Sequence, residues 1–366
     1  MSKINLIIFH PYSNIGGADL SLSKLINNLD HQKYKIEFIC LNKQKIKRYL
    51  KKNIKIHIIK SSKVIFSIFK IRKIIKENSK LKYKKTIFFS NQNYVNIISY
   101  LITLGFGNNL KNIVAERNHI SELYNFYNIK DFIIKNIIRN LMKLIYGQFD
   151  AIVGNSKELS KDLNRYISLK VLTIQNPLPQ HQLKTKLFKK EKGRILNIGR
   201  LEKQKDQITL IKAMNLLSKY RDFQLTIIGD GSEYQNLINI ISKFKLNKNI
   251  KILRKITNPK KFFLKNDLFI STSIYEGFPN VIAESISFNV PVISSNCKSG
   301  PREILMTTRG PDIFSMGNHE ELSRKILNHF NNPSILNKKC LKIKKKLKNL
   351  NLKNYIKKYD KLFTKI

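Results

Sequence analysis

Long apolar runs are missing from this chain. No stretch reaches the ~18 uninterrupted apolar residues of a membrane span, and the nearest, Tyr94 to Phe106, carries Asn96 and Ser99. Cysteine is nearly absent. The three present (Cys40, Cys297, Cys340) show no C-x-x-C or Cys/His spacing, which argues against a disulfide framework or a zinc site and fits a reducing cytoplasm. Before His10 only Ile4 and Leu6 to Phe9 form an apolar run, a first strand rather than a signal-peptide core. No internal repeat is visible. Acidic residues are scarce: 24 Asp+Glu stand against 69 Lys+Arg, a net charge of +45. Such a field favours polyanions, meaning nucleic acid, anionic lipid surfaces or phosphorylated substrates. A composition rich in Ile, Asn and Lys accounts for part of the lysine but not for the missing acids. The expected location is cytoplasmic, or peripheral to a membrane.

What is present is alternation. Short apolar β-branched runs recur at Ile4–Phe9, Ile36–Leu41, Ile54–Ile59, Thr86–Phe89, Ile113–Ala115, Ala151–Gly154 and Val171–Ile174. They continue at Arg194–Ile198, Leu225–Ile228, Ile250–Leu253, Leu268–Ser271 and Val290–Ser294, with helix-period segments such as Asp206–Ser218 and Glu233–Phe244 between. That pattern predicts parallel sheets with helical crossovers, an α/β architecture. Asn176-Pro177-Leu178-Pro179 and the polar stretch to Lys192 read as a linker. The expected division is a Rossmann-like domain over 1–180, a second over 190–340, and a C-terminal helix over 341–366 that packs back towards the first. The two domains would face each other across a cleft. Open α/β sheets bind ligands beyond the carboxyl ends of their strands, so chemistry is sought just after each strand.

After the first strand, Gly16-Gly17 leads into a helix, where two glycines let backbone amides approach an anion such as phosphate; alone, this is also what an ordinary turn looks like. After Arg194–Ile198 come Arg200 and Lys205, two cations over a strand end that suit the growing charge of a diphosphate leaving group. A lone lysine in this composition is usually a solvated surface group; Arg200, tied to Gly199, is more specific. Gly229-Asp230-Gly231 closes the next strand as a tight loop. The most informative segment is Tyr275 to Ser285, YEGFPNVIAES. Glu276 lies on the loop and Glu284 in the first turns of the following helix, where carboxylates can accept bonds from sugar and ribose hydroxyls. The Gly277-Phe278-Pro279-Asn280 loop offers backbone amides to a donor. Ordinary helix-N-terminal acids are the plainer explanation, weakened here because acids are so few.

The Glu-x7-Glu spacing with EGFPNVIAES intact resembles the retaining glycosyltransferases of family 4 (group 1 glycosyl transferases) with the GT-B fold. GRLEKQKD, GDG, Pro291-Val292-Ile293 and SGPREIL from Ser299 extend the likeness. NIGGADLSL is similar to that family's glycine loop, and the agreement is loose only between about residues 45 and 110. The resemblance implies Glu284 on the ribose, Glu276 on the transferred sugar, Arg200 and Lys205 on the diphosphate, and Gly17 reaching it from the other domain. It implies retention of configuration, with the leaving phosphate taking the acceptor's proton, and neither cofactor nor metal, the co-substrate being a UDP- or GDP-sugar. Many relatives carry a histidine at the N-domain strand end; here the chain reads Ala115-Glu116-Arg117-Asn118-His119, leaving Arg117 and His119 as two candidates for that place. After SGPREIL the family's Gly-Leu-Leu-like strand is replaced by Met306 to Pro311.

Two segments are basic and amphipathic. In Asp131–Tyr146, Lys135, Arg139 and Lys143 form a stripe beside Ile134, Ile138, Leu141 and Ile145. Lys63–Lys76 mixes Ile65, Ile68, Phe69 and Ile75 with Lys70, Arg72, Lys73 and Lys76. Either is consistent with an ordinary domain helix. Together with the charge and the resemblance they lead to an anionic membrane surface and a lipid-linked glycan acceptor, as in O-antigen, lipopolysaccharide or capsule assembly at the inner face of the cytoplasmic membrane. Rival readings are a GT-B epimerase acting on a soluble nucleotide sugar, a phosphorylase, for whose pyridoxal phosphate site no motif is found, and a nucleic-acid binder. The last lacks any zinc-finger, RNP or helix-turn-helix signature, so no nucleic-acid partner is expected.

Overall fold

The computed structural model describes residues 3–13, 16–79, 83–178, 193–254, 256 and 258–366. Most of the expected linker (residues 179–192), and Asn14 and Ile15 of the glycine loop, lie outside them. The chain divides into two compact units, Met1–Pro177 with Leu352–Ile366, and Leu178–Asn351.

The N-terminal unit begins β1 (Ile4–Phe9), α1 (Gly17–Asn28), β2 (Tyr34–Leu41), β3 (Lys55–Ile59), α2 (Ile68–Ser79) and β4 (Lys85–Ser90). It continues α3 (Asn93–Thr103), β5 (Leu110–Glu116), α4 (Ile129–Ile145), β6 (Ala151–Gly154), α5 (Lys157–Leu163) and β7 (Val171–Thr173). All seven strands pair in parallel, in the order β3-β2-β1-β4-β5-β6-β7. Both sheet faces are covered, which is why the strands read as unbroken apolar runs. Alternate residues serve opposite faces. Leu6, Ile8, Phe38 and Phe89 pack with Leu22, Leu25 and Ile26 of α1, while Ile7, Phe9, Ile39 and Phe88 pack with Ile71 and Ile75 of α2 and Val95 of α3.

The C-terminal unit runs β8 (Arg194–Ile198), α6 (Gln207–Leu217), β9 (Gln224–Ile228), α7 (Tyr234–Lys243), β10 (Ile250–Leu253), α8 (Lys260–Lys265) and β11 (Leu268–Ser271). Then come α9 (Asn280–Ser287), β12 (Val292–Ser295), α10 (Pro301–Leu305), β13 (Ile313–Phe314), α11 (His319–Asn331) and α12 (Ser334–Lys346). Its parallel sheet has the order β10-β9-β8-β11-β12-β13. Each of the twelve expected strands has its counterpart; β13, only two residues long, was not foreseen.

The expected single tail helix is two. Cys340 and Ile343 of α12 are buried in the C-terminal core, so residues 341–351 stay with that unit. There the Leu350 carbonyl accepts the Leu178 N–H at 2.7 Å. The last helix, α13 (Leu352–Lys365), belongs to the N-terminal unit. Its Tyr355, Tyr359, Leu362 and Phe363 complete the core beneath β1 and β4. Phe89 meets the Tyr359 and Phe363 rings edge-on at 5.9 and 5.8 Å, edge contacts that add ~0.5–1.5 kcal/mol each beyond area burial.

Candidate functional site

In the C-terminal unit the chain leaves β8 in one direction and later crosses to β11 on its other side, making the gap between these strand ends the sheet's switch point. Arg200 follows β8 and the Tyr275–Asn280 loop follows β11, so both sequence signals meet there. Lys205 Nζ donates to Glu276 Oε1, and Ser273 Oγ donates to the same oxygen at 2.7 Å. Both charged side chains are largely buried, where a charge-assisted bond is stronger than at the surface.

The backbone behind this pair is pinned. Thr272 Oγ1 donates to the Lys205 carbonyl at 2.7 Å. The Gln204 carbonyl accepts the Ile274 N–H at 2.8 Å, and Gln204 Nε2 donates to the Tyr275 carbonyl at 2.8 Å. Gln204 Oε1 accepts Arg200 Nη2 at 2.9 Å, while Gln207 Nε2 donates to the Arg200 carbonyl at 2.9 Å. One buried glutamine thus ties the exposed Arg200 to the loop that carries Glu276. Asp206 caps α6 from the left-handed region at φ 43°, a conformation aspartate tolerates better than most residues, and this turn aims Lys205 back at β11.

The loop itself is clamped from β12. Ser295 Oγ donates to the Ser273 carbonyl at 2.6 Å and Ser299 Oγ to the Gly277 carbonyl at 3.0 Å. Gly277, Phe278 and Pro279 are buried, whereas Asn280 and Glu284 are half-buried on α9. Burial pushes the neighbouring Cys297 thiol up to about 12, which keeps it protonated. Gly229 is a glycine for the fold's sake, since a Cβ there would lie 1.8 Å from the Gly199 carbonyl oxygen. Gln204 and Ser273 were missed in the sequence; both sit beside motif residues, but nothing in their spacing announces the bonds they make.

In the N-terminal unit the candidates are placed differently. The Gly16 N–H donates to Asp19 Oδ2 at 2.7 Å, capping α1. Neither φ (−95°) nor packing requires a glycine at 16, a Cβ meeting only Asp19 Oδ2 at 3.8 Å. Arg117 and His119 are both more than nine-tenths buried. Arg117 Nη1 donates to Asn176 Oδ1 at 3.1 Å, and Tyr355 and Tyr359 of α13 lie near its guanidinium. His119 Nε2 lies 3.2 Å from Asp162 and its Nδ1 accepts the Ser121 N–H at 3.1 Å. Both residues are therefore engaged inside their own unit. Among the described residues no three His, Cys, Asp or Glu side chains cluster as a metal site.

Glu116, just before Arg117, is buried against Tyr146 and Asn96, which donate to its Oε1. Burial outweighs those bonds and pushes its carboxyl up to about 7. A group that holds its proton more tightly folded than unfolded loses stability as pH rises from its unfolded value towards its folded one. Wild type should therefore lose ground to Glu116→Gln between about pH 4.5 and pH 7, by on the order of 1–3 kcal/mol. Urea midpoints of both proteins at pH 5 and pH 8 check this; a constant difference between the two would refute it.

Residues 180–349 match the family described as glycosyl transferases group 1. The chain is 32% identical over 262 residues to a glycosyltransferase of Methanocaldococcus jannaschii, covering 66% of this chain and 62% of that one. Over 334 residues, 86% of each, it is 29% identical to a Campylobacter jejuni enzyme. That relative is named N-acetylgalactosamine-N,N'-diacetylbacillosaminyl-diphospho-undecaprenol 4-alpha-N-acetylgalactosaminyltransferase. Among solved structures, Anabaena HepE in complex with UDP and glucose superposes at a TM-score of 0.80 with 14% identity, covering 99% of this chain and 100% of that one. A Rickettsia africae glycosyltransferase superposes at 0.77 with 22% identity, covering 100% and 99%. With two Rossmann-like sheets and the collinear motifs around Lys205 and Glu276, this chain has the GT-B fold and, over residues 180–349, matches the group 1 glycosyltransferases.

Proposed function

We propose that this glycosyltransferase moves a sugar from a nucleoside-diphosphate donor, with retention, onto a lipid-linked glycan at a membrane surface. The observation that carries the donor half is the cluster of Arg200, Lys205 and Glu276 at the β8/β11 switch point. Lysine has three donors, so Lys205 can hold Glu276 and a donor phosphate together. Arg200, steered by Gln204, takes the other phosphate. Glu276 then accepts a hydroxyl of the transferred sugar, Glu284 accepts the ribose hydroxyls, and the loop amides between Gly277 and Asn280 meet the sugar and the diphosphate. Within the N-terminal unit, the Gly16-Gly17 turn presents the first amides of α1 to a donor anion. As the glycosidic bond to phosphate breaks, its electron pair stays on the phosphate oxygen, which takes the proton of the attacking acceptor hydroxyl. Lys205 and Arg200 offset the charge that develops on the leaving group.

The acceptor half rests on α4 and the segment before α2. The helix α4 buries Met142 and partly buries Ile138, Leu141 and Ile145. It carries a second apolar face: Ile129 is 80% exposed and Leu144 72%, with Phe132, Ile133, Ile134 and Ile137 about half exposed. Lys130 and Lys143 are exposed on the same helix. Phe66 and Phe69, the latter 85% exposed, make a similar display before and on α2. Apolar side chains flanked by lysine match an anionic bilayer surface, each nearby basic residue contributing ~1 kcal/mol. Among the described residues no helix is long and apolar enough to cross a membrane. The names of the Campylobacter relatives, which specify diphospho-undecaprenol-linked glycans, support the same acceptor class.

One preparation tests both halves. A nucleoside diphosphate at ~100 times its Kd should stabilise the protein by about 2.7 kcal/mol, and Glu284→Ala should abolish that shift. The protein should also float with anionic liposomes at low salt, and Ile129→Ser with Phe132→Ser should reduce flotation at least about tenfold. No shift with UDP, GDP, CDP or ADP would sink the donor half; protein left at the bottom of the gradient would sink the acceptor half.

A further inference from the structure

His10 directly follows β1, the strand from which the N-terminal sheet is wound in both directions, and Asn91 directly follows its neighbour β4. These two strand ends flank that sheet's own switch point, where open α/β sheets take their ligands. The imidazole is fully buried. Its Nδ1 lies 2.7 Å from Asn91 Oδ1 and its Nε2 lies 2.6 Å from Asp19 Oδ1. The second oxygen of Asp19 accepts the Gly16 N–H at 2.7 Å. Four groups from three separate segments thus form one connected line, Asn91 to His10 to Asp19 to Gly16, ending on the backbone of the glycine turn. Main-chain bonds hold the near end as well: the His10 N–H extends the β1–β2 ladder to the Ile39 carbonyl at 3.0 Å.

A buried histidine with both ring nitrogens engaged is fixed in position and tautomer by its partners, and a group hydrogen-bonded to it inherits that order. Among the described residues, the buried Asn91 Nδ2 has no hydrogen-bond partner. Turning the amide nitrogen to Nδ1 gives that donor a partner and assigns the remaining ring proton to Nε2, facing Asp19. Helix capping alone does not account for the arrangement, because Asp19 could cap Gly16 through one oxygen without a histidine behind it. Nor, among the described residues, does the local fold require a glycine at 16, where a Cβ would meet Asp19 Oδ2 at 3.8 Å.

We infer that His10 is a positioning residue, which through Asp19 holds the Gly16-Gly17 turn in the geometry that presents the first amides of α1 to an anion such as a donor phosphate. The inference rests on the donor reading of that turn given above. His10 itself touches no substrate and exchanges no proton with it.

The test compares wild type with His10→Gln and His10→Phe by amide hydrogen exchange and by donor kinetics. Glutamine can return an N–H to Asp19; phenylalanine cannot. Exchange of the Gly16 to Leu20 amides should be at least about tenfold faster in His10→Phe and within about threefold of wild type in His10→Gln, with β6 amides unchanged. For transfer, kcat should fall about 10- to 100-fold in His10→Phe and recover in His10→Gln, with the donor KM moving less than kcat. Should His10→Phe fail to fold, Asp19→Ala cuts the same line at its more accessible end and is expected to show the same two effects. Unchanged exchange at Gly16 to Leu20, or faster exchange with unchanged kcat, overturns the positioning role. Wild-type protein that binds no nucleotide and moves no sugar overturns the donor reading instead, and is told apart by needing no variant.

Discussion

Lys205→Met should lower the turnover of sugar transfer by about 10²- to 10³-fold, the usual loss when one preorganised donor to a developing anion is removed. It should also cost about 1–3 kcal/mol of stability, because Glu276, largely buried, would keep Ser273 alone as its partner among the described residues. The two losses have different remedies. Adding Glu276→Gln to Lys205→Met removes the unpaired charge while an amide oxygen still accepts from Ser273. The double variant should therefore regain most of the stability and none of the activity. Melting curves and initial rates on the four proteins of this cycle decide the matter. A single variant that keeps turnover within tenfold of wild type would remove Lys205 from the chemistry, whatever its effect on stability.

Gly229→Ala and Gly16→Ala should behave as opposites. A Cβ at 229 would sit 1.8 Å from the Gly199 carbonyl oxygen, inside any possible contact distance and against backbone that cannot rotate away. The β8 and β9 ends would have to part, at a cost of about 3 kcal/mol or more. They are joined there by the bonds from the Gly199 N–H to Ile228 and from the Leu201 N–H to Asp230, both 3.0 Å. Gly16→Ala meets no such obstacle and should cost less than about 1 kcal/mol, yet it should slow transfer if a donor phosphate approaches that turn closely. Chemical denaturation separates the pair: a Gly229→Ala protein as stable as wild type would contradict the packing argument, and fully active Gly16→Ala would contradict the donor role of the turn.

How much of this could be read beforehand depends on how local the determinant is. Strands buried on both faces show as apolar runs, so the twelve longer ones were legible. Ile313–Phe314 is two residues after Pro311 and Asp312, too short for any periodicity. In the C-terminal unit the candidate residues follow β8 or β11, and the strand order then gathers them at one switch point, so motif and geometry coincide. Arg117 shows the opposite case. Its surroundings come from Asn176 and from tyrosines of α13, far along the chain, and no local pattern could reveal that the guanidinium would be buried among them. His10 went unremarked for the same reason, since Asp19 and Asn91 reach it only through the fold. The exposed second face of α4 was also hidden. Its sequence is apolar on more than one side, and only packing shows which stripe the domain uses and which it leaves outside.

The return of α13 to the N-terminal core has a consequence for biogenesis. On the ribosome, β1 through β7 emerge first but lack the aromatic layer that seals Phe89 and the β1–β4 face. The entire C-terminal unit must be made before Tyr355, Tyr359 and Phe363 become available. The half of the enzyme born first is thus finished last, and in the interval its unsealed sheet is a surface for chaperones to shield. A message cut short within α13 would yield a C-terminal unit able to fold and an N-terminal unit with an open core, a form that quality control can recognise by its exposed rings.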